Sequence, residues 1–314
     1  MISGGIYLEA RGLTKSFGSV QAVDNLSFVV PPGSITGFLG PNGAGKTTTL
    51  RMMLGLIAPS AGTATIGGLP FRTLVRPANV VGAVLDSLSL HPKRTALAHL
   101  RIYAAAIGVT VDRAHQVLSM VGLEQVGGRR VESFSLGMRQ RLALATALLG
   151  NPSVLVLDEP ANGLDPEGIA WLRKFLRSYA QGGGTVLISS HILREIEHTA
   201  DIVVIVSRGR LIYQGSIADL RRTHGGRLLV ASADPAALAT ALAAQGITAT
   251  QVLHDGRLGV AGAGEHQIAS VAAGAGIAVF GMITEHVDLE QAFLTMTSGQ
   301  FAAPQPPSYP GGRQ

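Results

Sequence analysis

The sequence lacks cysteine and has few charged or aromatic residues. Its 314 residues include no Cys, 14% charged and 5% aromatic side chains, and one Trp. The absence of Cys excludes a disulfide framework and any metal site built on thiolates. No apolar run reaches the roughly 18 residues of a membrane-spanning helix, so none is expected. The first residues lack a basic segment followed by an apolar core, so no secretion signal is expected.

Apolar and small residues are abundant instead. Hydrophobic residues make up 46% of the chain and 40 residues are Gly, which is enough for one large domain and one small one. The formal net charge of +5 could indicate nucleic acid or anionic lipid as a partner. Because the Arg residues are scattered, we interpret the densest basic region as a solvated face and expect no nucleic-acid partner. That region contains Arg72, Arg76, Lys93, Arg94 and Arg101.

Residues 40–47 match a complete phosphate-binding loop, Gly followed by four residues and then Gly-Lys-Thr. The flanking sequence predicts a buried strand over 34–39 and a helix over 47–54. Glycines let the backbone N–H groups converge on phosphate oxygens, and the helix N-terminus adds positive partial charge. Lys46 is expected to reach the β- and γ-phosphates, and Thr47 to hold Mg²⁺. The candidate nucleotide-binding residues are Gly40, Pro41, Asn42, Gly43, Ala44, Gly45, Lys46, Thr47 and Thr48.

A pair of acids follows a second apolar run. Residues 154–157 are Val-Leu-Val-Leu, which is typical of a strand covered on both faces, and Asp158 and Glu159 come next. Asp158 would lie at the carboxyl end of a parallel sheet, where ligands bind, and could hold Mg²⁺. Glu159 is placed to polarise an attacking water. Together with the phosphate loop, the pair predicts hydrolysis of a nucleoside triphosphate.

A third motif lies just before that strand. Phe134-Ser-Leu-Gly-Met138 precedes a strongly helical stretch over 139–149. Here the chain resembles the ATP-binding cassette (ABC) family, because Ser135 and Gly137 match two positions of its signature Leu-Ser-Gly-Gly-Gln. The resemblance implies that both residues bind the ATP held by the phosphate loop of a second subunit, so that ATP joins two cassettes. Ser135 would also cap the helix.

Further segments follow in the order of this family. Asn162-Gly-Leu-Asp165 resembles the D-loop, which implies that Asp165 shapes the contact between paired subunits. His191 follows the apolar run 185–188 and resembles the switch histidine that contacts the γ-phosphate. Phe17 is placed to stack on adenine, although an aromatic residue at a strand end also serves packing.

The chain departs from the family pattern at several positions. Asp86 stands where the Q-loop has Gln; it is expected to contact nucleotide and Mg²⁺, and these contacts could change with pH because a carboxylate only accepts. Leu136 and Met138 replace Gly and Gln of the signature, and Ala161 replaces a hydroxyl residue of the D-loop. None of these changes removes a phosphate ligand. We expect them to affect turnover and subunit coupling rather than ATP binding.

The resemblance implies an α/β fold: a phosphate-loop NTPase of the ABC cassette type, with a parallel-sheet core, an antiparallel β subdomain and a helical subdomain. The cassette is expected over residues 1–222, with its helical subdomain over 87–134. Strands are predicted over 7–13 and 23–30. Helices are predicted over 95–107 and 112–121, with N-caps at their first residues, Thr95 and Asp112.

The C-terminal part predicts a second domain. Thr223-His-Gly-Gly226 is interpreted as a linker, and residues 227–299 follow the order strand, helix, strand, strand, helix, strand, ending in a helix. This order indicates a small split β-α-β domain. It resembles the end of cassette subunits in the bacitracin- and daunorubicin-resistance type of exporter, and dimer support and regulation both remain open as its role. The Pro-rich residues 300–314 are expected to be disordered.

The resemblance implies the ATP-hydrolysing subunit of a two-component transporter, with Glu159 and His191 as catalytic residues and ATP and Mg²⁺ as cofactors. The subunit would work as a homodimer on an integral membrane permease, in the cytoplasm at the inner face of the membrane. Export of drugs, antibiotics or other amphipathic compounds is expected, with import as the alternative. The rival functions are a soluble ABC-type ATPase acting on ribosomes or DNA, and a module that senses ATP without hydrolysis.

Overall fold

The structure is a computed structural model that describes residues 6–85, 90–224, 227–285 and 289–298. Contacts divide the chain into two compact units: residues up to 215 together with those from 296 on, and residues 216–295. Each unit is described by itself below. Within the described ranges, the helices are all too short or too polar to cross a lipid bilayer.

The strands of the first unit form two sheets. A three-stranded antiparallel sheet has the order β2-β1-β4, and a six-stranded sheet has the order β5-β6-β7-β3-β8-β9. In chain order, the strands are β1 Leu8–Phe17, β2 Val20–Val30, β3 Ile35–Leu39, β4 Ala61–Ile66, β5 Val81–Val84, β6 Val154–Leu157, β7 Thr185–Ser190, β8 Ile202–Ser207 and β9 Arg210–Ser216.

The centre of the six-stranded sheet is parallel and buried. β3 pairs in parallel with β7 and β8, and β6 pairs in parallel with β5 and β7. Every residue of β3, β6 and β7 is buried, as expected for strands covered by helices on both faces. Because these strands run in the same direction, their carboxyl ends meet at one edge, where the phosphate loop and the acidic pair begin.

Helices surround this sheet. They are α1 Lys46–Met53, α2 Pro77–Val80, α3 Ala96–Ile107, α4 Val111–Met120, α5 Leu136–Ala147, α6 Pro166–Gln181 and α7 Leu193–Glu197, with 3-10 turns at Phe71–Thr73, Glu124–Val126 and Val131–Ser133.

The segment between β5 and β6 is helical, and α3, α4 and α5 contact one another there. The hydroxyl of Thr95 accepts a hydrogen bond from the Ala98 N–H at 3.1 Å, so Thr95 is an N-cap as predicted. The predicted cap at Asp112 is wrong: the N-cap of α4 is Thr110, and Asp112 lies in the first turn. A carboxylate in the first turn still stabilises the positive end of the helix.

The second unit is an α+β sandwich. Its sheet has the order β11-β12-β10-β13 with antiparallel neighbours, which is the split β-α-β arrangement that the sequence predicts. Apolar residues of α9 and α10 pack against the strands in one core. The elements are α8 Ile217–His224, β10 Arg227–Ser232, α9 Pro235–Ala244, β11 Thr250–Val252, β12 Leu258–Val260, α10 Glu265–Gly274 and β13 Val279–Glu285. Helix α11, Leu289–Ser298, follows and crosses the boundary at residue 295.

The predicted linker is partly wrong. Thr223 and His224 form the last turn of α8 rather than a flexible connection, and the rest of the predicted segment lies outside the described residues. Leu220 on this helix is fully buried. The predicted disordered tail also lies outside the described residues.

Candidate active site

The phosphate loop joins the carboxyl end of β3 to the first turn of α1. Gly43 and Gly45 have φ angles of 80° and 95°, a region that side chains disfavour. A Cβ atom on Gly40 would lie 2.4 Å from the Val206 carbonyl oxygen, and one on Gly45 would lie 2.4 Å from that of Ala22. The loop therefore needs glycine at these positions, and its backbone forms the cradle in which a phosphate would bind.

Lys46 directs its ammonium into this cradle. The side chain is 5% exposed, and Nζ donates hydrogen bonds to the carbonyl oxygens of Gly40 at 2.7 Å and Pro41 at 3.3 Å. Nζ also lies 3.2 Å from Oε1 of Glu159. A buried ammonium needs such compensation. The same position makes it available to phosphate oxygens in the loop.

Thr47 and Asp158 meet beside Lys46. The Thr47 hydroxyl donates to Oδ2 of Asp158 at 2.6 Å, and the Ser189 hydroxyl donates to Oδ1 at 2.5 Å. A hydroxyl and a carboxylate are hard oxygen ligands of the kind that Mg²⁺ prefers. Within the described ranges, no cluster of three or more His, Cys, Asp or Glu side chains could hold a metal. Mg²⁺ held by Thr47 and Asp158 would also take ligands from phosphate and water.

Glu159 is held by three side chains. Its Oε2 accepts a hydrogen bond from Nδ2 of Asn162 at 2.8 Å and lies 2.7 Å from Nδ1 of His191, while Oε1 faces Lys46. Burial raises the pKa of Glu159, but the charge of Lys46 and the hydrogen bond from His191 outweigh it, and the pKa lies below its ordinary value. Glu159 is therefore ionised at neutral pH and able to act as a base.

The backbone of Glu159 is unusual. Its φ angle is +46°, in the left-handed region that residues other than glycine rarely adopt. Its N–H donates to the Ser189 hydroxyl at 2.9 Å, which helps to hold this conformation. Strain of this kind clusters at functional sites, where surrounding contacts maintain it. Here it turns the carboxylate from the end of β6 toward Lys46 and His191.

Ser135 and Gly137 line a different cleft, together with Leu136, Gly163 and Asp165. The Ser135 hydroxyl caps α5, as predicted, by accepting the hydrogen bond from the third N–H of the helix. The carboxylate of Asp165 caps α6 in the same way. The N-terminus of α5 and the hydroxyl of Ser135 thus provide a second place where an anion could bind.

Phe17 and Asp86 are the two remaining predicted nucleotide contacts. Phe17 ends β1 with its ring 49% exposed, and Nζ of Lys15 lies 5.1 Å from the ring centroid. The ring is therefore accessible for stacking, as the adenine prediction requires. Asp86, the predicted Q-loop contact to nucleotide and Mg²⁺, lies outside the described residues.

The sequence analysis assigned no role to the side chains of Ser189 and Asn162. Ser189 contacts both acids, and Asn162 donates to Glu159. The signal for Ser189 was its place at the end of the apolar run 185–188. That run forms β7, which pairs with β6. For Asn162, the signal was its place three residues after Glu159, within reach of a turn.

Comparison with known proteins extends this picture. The family model described as ABC transporter matches residues 23–162, and a domain of unknown function matches residues 226–290. The bacitracin transport ATP-binding protein BcrA of Bacillus licheniformis is 44% identical over 223 residues, covering 69% of this chain and 72% of that protein. The lantibiotic transport ATP-binding protein SrtF of Streptococcus pyogenes is 36% identical over 213 residues, covering 67% of this chain and 92% of that protein.

Solved structures share the fold. The ATP-binding subunit of an ABC transporter has a TM-score of 0.62 and 29% identity, covering 69% of this chain and 92% of that one. A cassette solved as a dimer in a post-hydrolysis state, with ADP and Pi, has a TM-score of 0.61 at 22% identity, covering 67% of this chain and 98% of that one. The phosphate loop, the acidic pair and the signature motif lie within the matched family. The chain belongs to the ABC transporter family, as one of its ATP-hydrolysing ATP-binding proteins.

Proposed function

We propose that this chain is the ATPase subunit of a two-component exporter of antibiotics or related amphipathic compounds. One observation carries the proposal: the cradle of the phosphate loop, Lys46, Glu159 and His191 converge at one edge of the sheet. Such a group can bind a triphosphate and activate water beside its γ-phosphate. The subunit would lie in the cytoplasm, at the inner face of the membrane.

Each of these residues has a separate task in hydrolysis. The glycine cradle and Lys46 hold the phosphates, which fixes the γ-phosphate for attack. Glu159, ionised, orients the attacking water and takes up its proton. His191 holds the Glu159 carboxylate through Nδ1. We assign it the contact to the γ-phosphate. Fixed charges and dipoles provide most of the rate gain in this type of reaction.

Thr47 and Asp158 are the residues that would hold Mg²⁺, and Asp86 is proposed as a third contact. When bound, the ion neutralises charge on the β- and γ-phosphates. Ser189 supports this role because its hydrogen bond fixes the Asp158 carboxylate. A residue that orients a metal ligand commonly contributes to affinity as well.

The signature cleft supports a homodimer. Ser135 and Gly137 lie in the cleft beside Asp165, rather than with the phosphate loop of their own chain. We assign them to the ATP bound by the second copy, with Asp165 at the contact between copies. Closure of two cassettes on two ATP molecules would then move a separate membrane permease. Phe17 is assigned to the adenine ring.

The relatives support export of an antibiotic. The two relatives above are named for bacitracin transport and lantibiotic transport. The proposed cassette covers residues 1–222, with its helical subdomain over 87–134, and the accessory domain covers residues 227–299. For the accessory domain we propose support of the dimer.

The test is co-purification of the full-length tagged Glu159→Gln chain from membranes in mild detergent with ATP. Loss of the base should block hydrolysis and leave ATP bound, so the dimer should persist. A polytopic membrane protein is expected at a ratio near one to one. Exporter activity is then measured as antibiotic resistance of cells that carry both genes.

Glu124→Gln is the matched control, because the Glu124 carboxylate accepts a hydrogen bond from Ser119 on the surface of the helical segment, outside the proposed site. This variant should hydrolyse ATP at the parent rate and should not accumulate the dimer. Recovery of ribosomes or DNA in place of a membrane protein would support the soluble ATPase instead. Hydrolysis by Glu159→Gln at the parent rate would refute the assigned base.

A further inference from the structure

Within one chain, the D-loop (residues 162–165) contacts both the signature loop (residues 134–138) and Glu159. Gly163 has a φ angle of +72°, and a Cβ atom there would lie 2.3 Å from Cδ2 of Leu136. On the other side, a Cβ atom on Gly137 would lie 3.5 Å from Cδ2 of Leu164. The two loops therefore touch at both positions, and Leu136 occupies the space that any larger residue at position 163 would need.

The same short segment holds the base. Asn162, next to Gly163, donates through Nδ2 to Oε2 of Glu159 at 2.8 Å, and its backbone N–H donates to the Glu159 carbonyl at 3.2 Å. Leu164 N–H donates to the Ala161 carbonyl at 3.1 Å, which closes the next turn. These two turns connect Gly163 to Asn162 and Glu159, so we expect a shift of Gly163 to move the Asn162 amide.

We propose that Asn162 is a positioning residue for Glu159, and that Leu136 couples the signature loop to it through Gly163. This inference rests on the proposed roles of Glu159 and of the signature loop. Each chain's signature loop binds the ATP of one site, and its Glu159 acts at the other site. The contact therefore links the two ATP sites of a dimer through a single chain.

Leu136 can couple the signature loop to the D-loop because it has a side chain, whereas glycine has none. The side chain is 39% exposed, and part of it lies against Gly163. Glycine at this position, as in the family signature, would have no side chain to contact the D-loop. The substitution therefore adds a packed contact between two loops without removing the Ser135 hydroxyl or the Gly137 N–H.

The first test is steady-state ATP hydrolysis by the full chain with Asn162→Ala. Loss of a hydrogen bond to a charged group should lower kcat by about 10-fold and leave KM for ATP unchanged. Asn162→Gln, which keeps an amide donor, should recover part of the lost rate. A purely structural loss would not be rescued by a donor at this position. The control is Asn79→Ala, which removes an amide donor to the Gly150 carbonyl elsewhere.

The second test is rescue across the two loops. Gly163→Ala should push Leu136 away and lower kcat, and Leu136→Gly in the same chain should restore part of the loss by removing the clash. Leu136→Gly alone should reduce the Hill coefficient for ATP toward 1 while Ser135 still binds. An equal effect of Gly163→Ala in both backgrounds would overturn the coupling.

Failure of this inference is distinct from failure of the proposed function. If the parent hydrolyses ATP, Glu159→Gln does not, and Asn162→Ala keeps the parent rate, then only the positioning role is refuted. If the parent itself lacks ATP hydrolysis, both proposals are refuted.

Discussion

The ammonium of Lys46 lies 3.2 Å from the carboxylate of Glu159, with 5% of the lysine side chain exposed. A buried cation of this kind must be compensated. In the described structure, that carboxylate and two loop carbonyls compensate it. A γ-phosphate in the loop would compete for the same ammonium. Binding of ATP would thus release Glu159 to act on water.

Lys46→Ala should lose most nucleotide affinity. A charge-assisted contact contributes about 1.5–3 kcal/mol, so the dissociation constant for ATP should rise by at least about 10-fold. Isothermal titration with ATP measures this change. Lys174→Ala, an exposed lysine on α6, is the control and should bind ATP as the parent does. Equal affinity of Lys46→Ala and parent would contradict the phosphate-loop assignment.

Glu159 should make stability depend on pH. Its pKa in the folded chain lies below the ordinary value of 4.5, as described above. Its contribution to stability is therefore present above that value and is lost as pH falls through the folded pKa. The stability difference between parent and Glu159→Gln, from thermal unfolding, should be constant above about pH 5 and change only below it. In His191→Ala the loss should be smaller and should end at a higher pH, because one hydrogen bond that lowers the folded pKa is missing; a loss equal to that of the parent would contradict this.

His99 should destabilise the fold in mild acid. Burial first, and then the charge of Arg94, lower the pKa of His99 from 6.5 to about 4. The unfolded chain binds a proton at His99 at higher pH than the folded chain does. The contribution of neutral His99 to the free energy of unfolding is therefore complete above pH 6.5 and is lost as the pH falls toward 4. The loss should reach about 3 kcal/mol. Denaturant unfolding at several pH values should show a smaller loss for His99→Leu.

The control for this prediction is His115→Leu, since His115 is exposed on α4. This variant should keep the pH dependence of the parent. Retention of the full acid destabilisation in His99→Leu would show that another group causes it.

Gly184→Ala should destabilise the first unit. A Cβ atom there would lie 2.2 Å from Cε1 of Tyr179, so the ring would have to move. That movement would break the hydrogen bond that Tyr179 donates to the Pro152 carbonyl at 2.8 Å. The cost should be about 1–3 kcal/mol, measured by thermal unfolding. Gly128→Ala is the control, because nothing lies within 4 Å of its added Cβ; equal melting temperatures would refute the explanation.

Much of the fold was predictable because its signals are local. The phosphate loop is a contiguous pattern next to an apolar run, and the strand and helix beside it follow from that pattern. The order of elements in the second unit was predictable from alternating apolar segments. The N-cap at Thr110 was not, because the ends of an element are harder to predict from a single sequence than its type. Helix α8 was not predicted, and its last residues were interpreted as a linker.

The site was predictable residue by residue but not as a network. Ser189 contacts Asp158 because β7 lies beside β6, with Leu157 opposite Ile188. The pairing of β6 with β7 follows from the strand order of the sheet, which cannot be predicted from a local sequence pattern. The bond from Asn162 to Glu159 depends on a left-handed backbone at Glu159, and a glutamate in that conformation is not expected from its propensity.

The close approach of Gly45 to the Ala22 carbonyl holds the phosphate loop against the start of β2. The phosphate loop cannot shift along the sheet without moving the start of β2, whose neighbouring strand β1 ends at Phe17. The phosphate loop and Phe17, the residue proposed to stack on adenine, are therefore connected through the same antiparallel sheet. A substitution that moves the start of β2 should therefore displace the glycine loop and the Phe17 ring together.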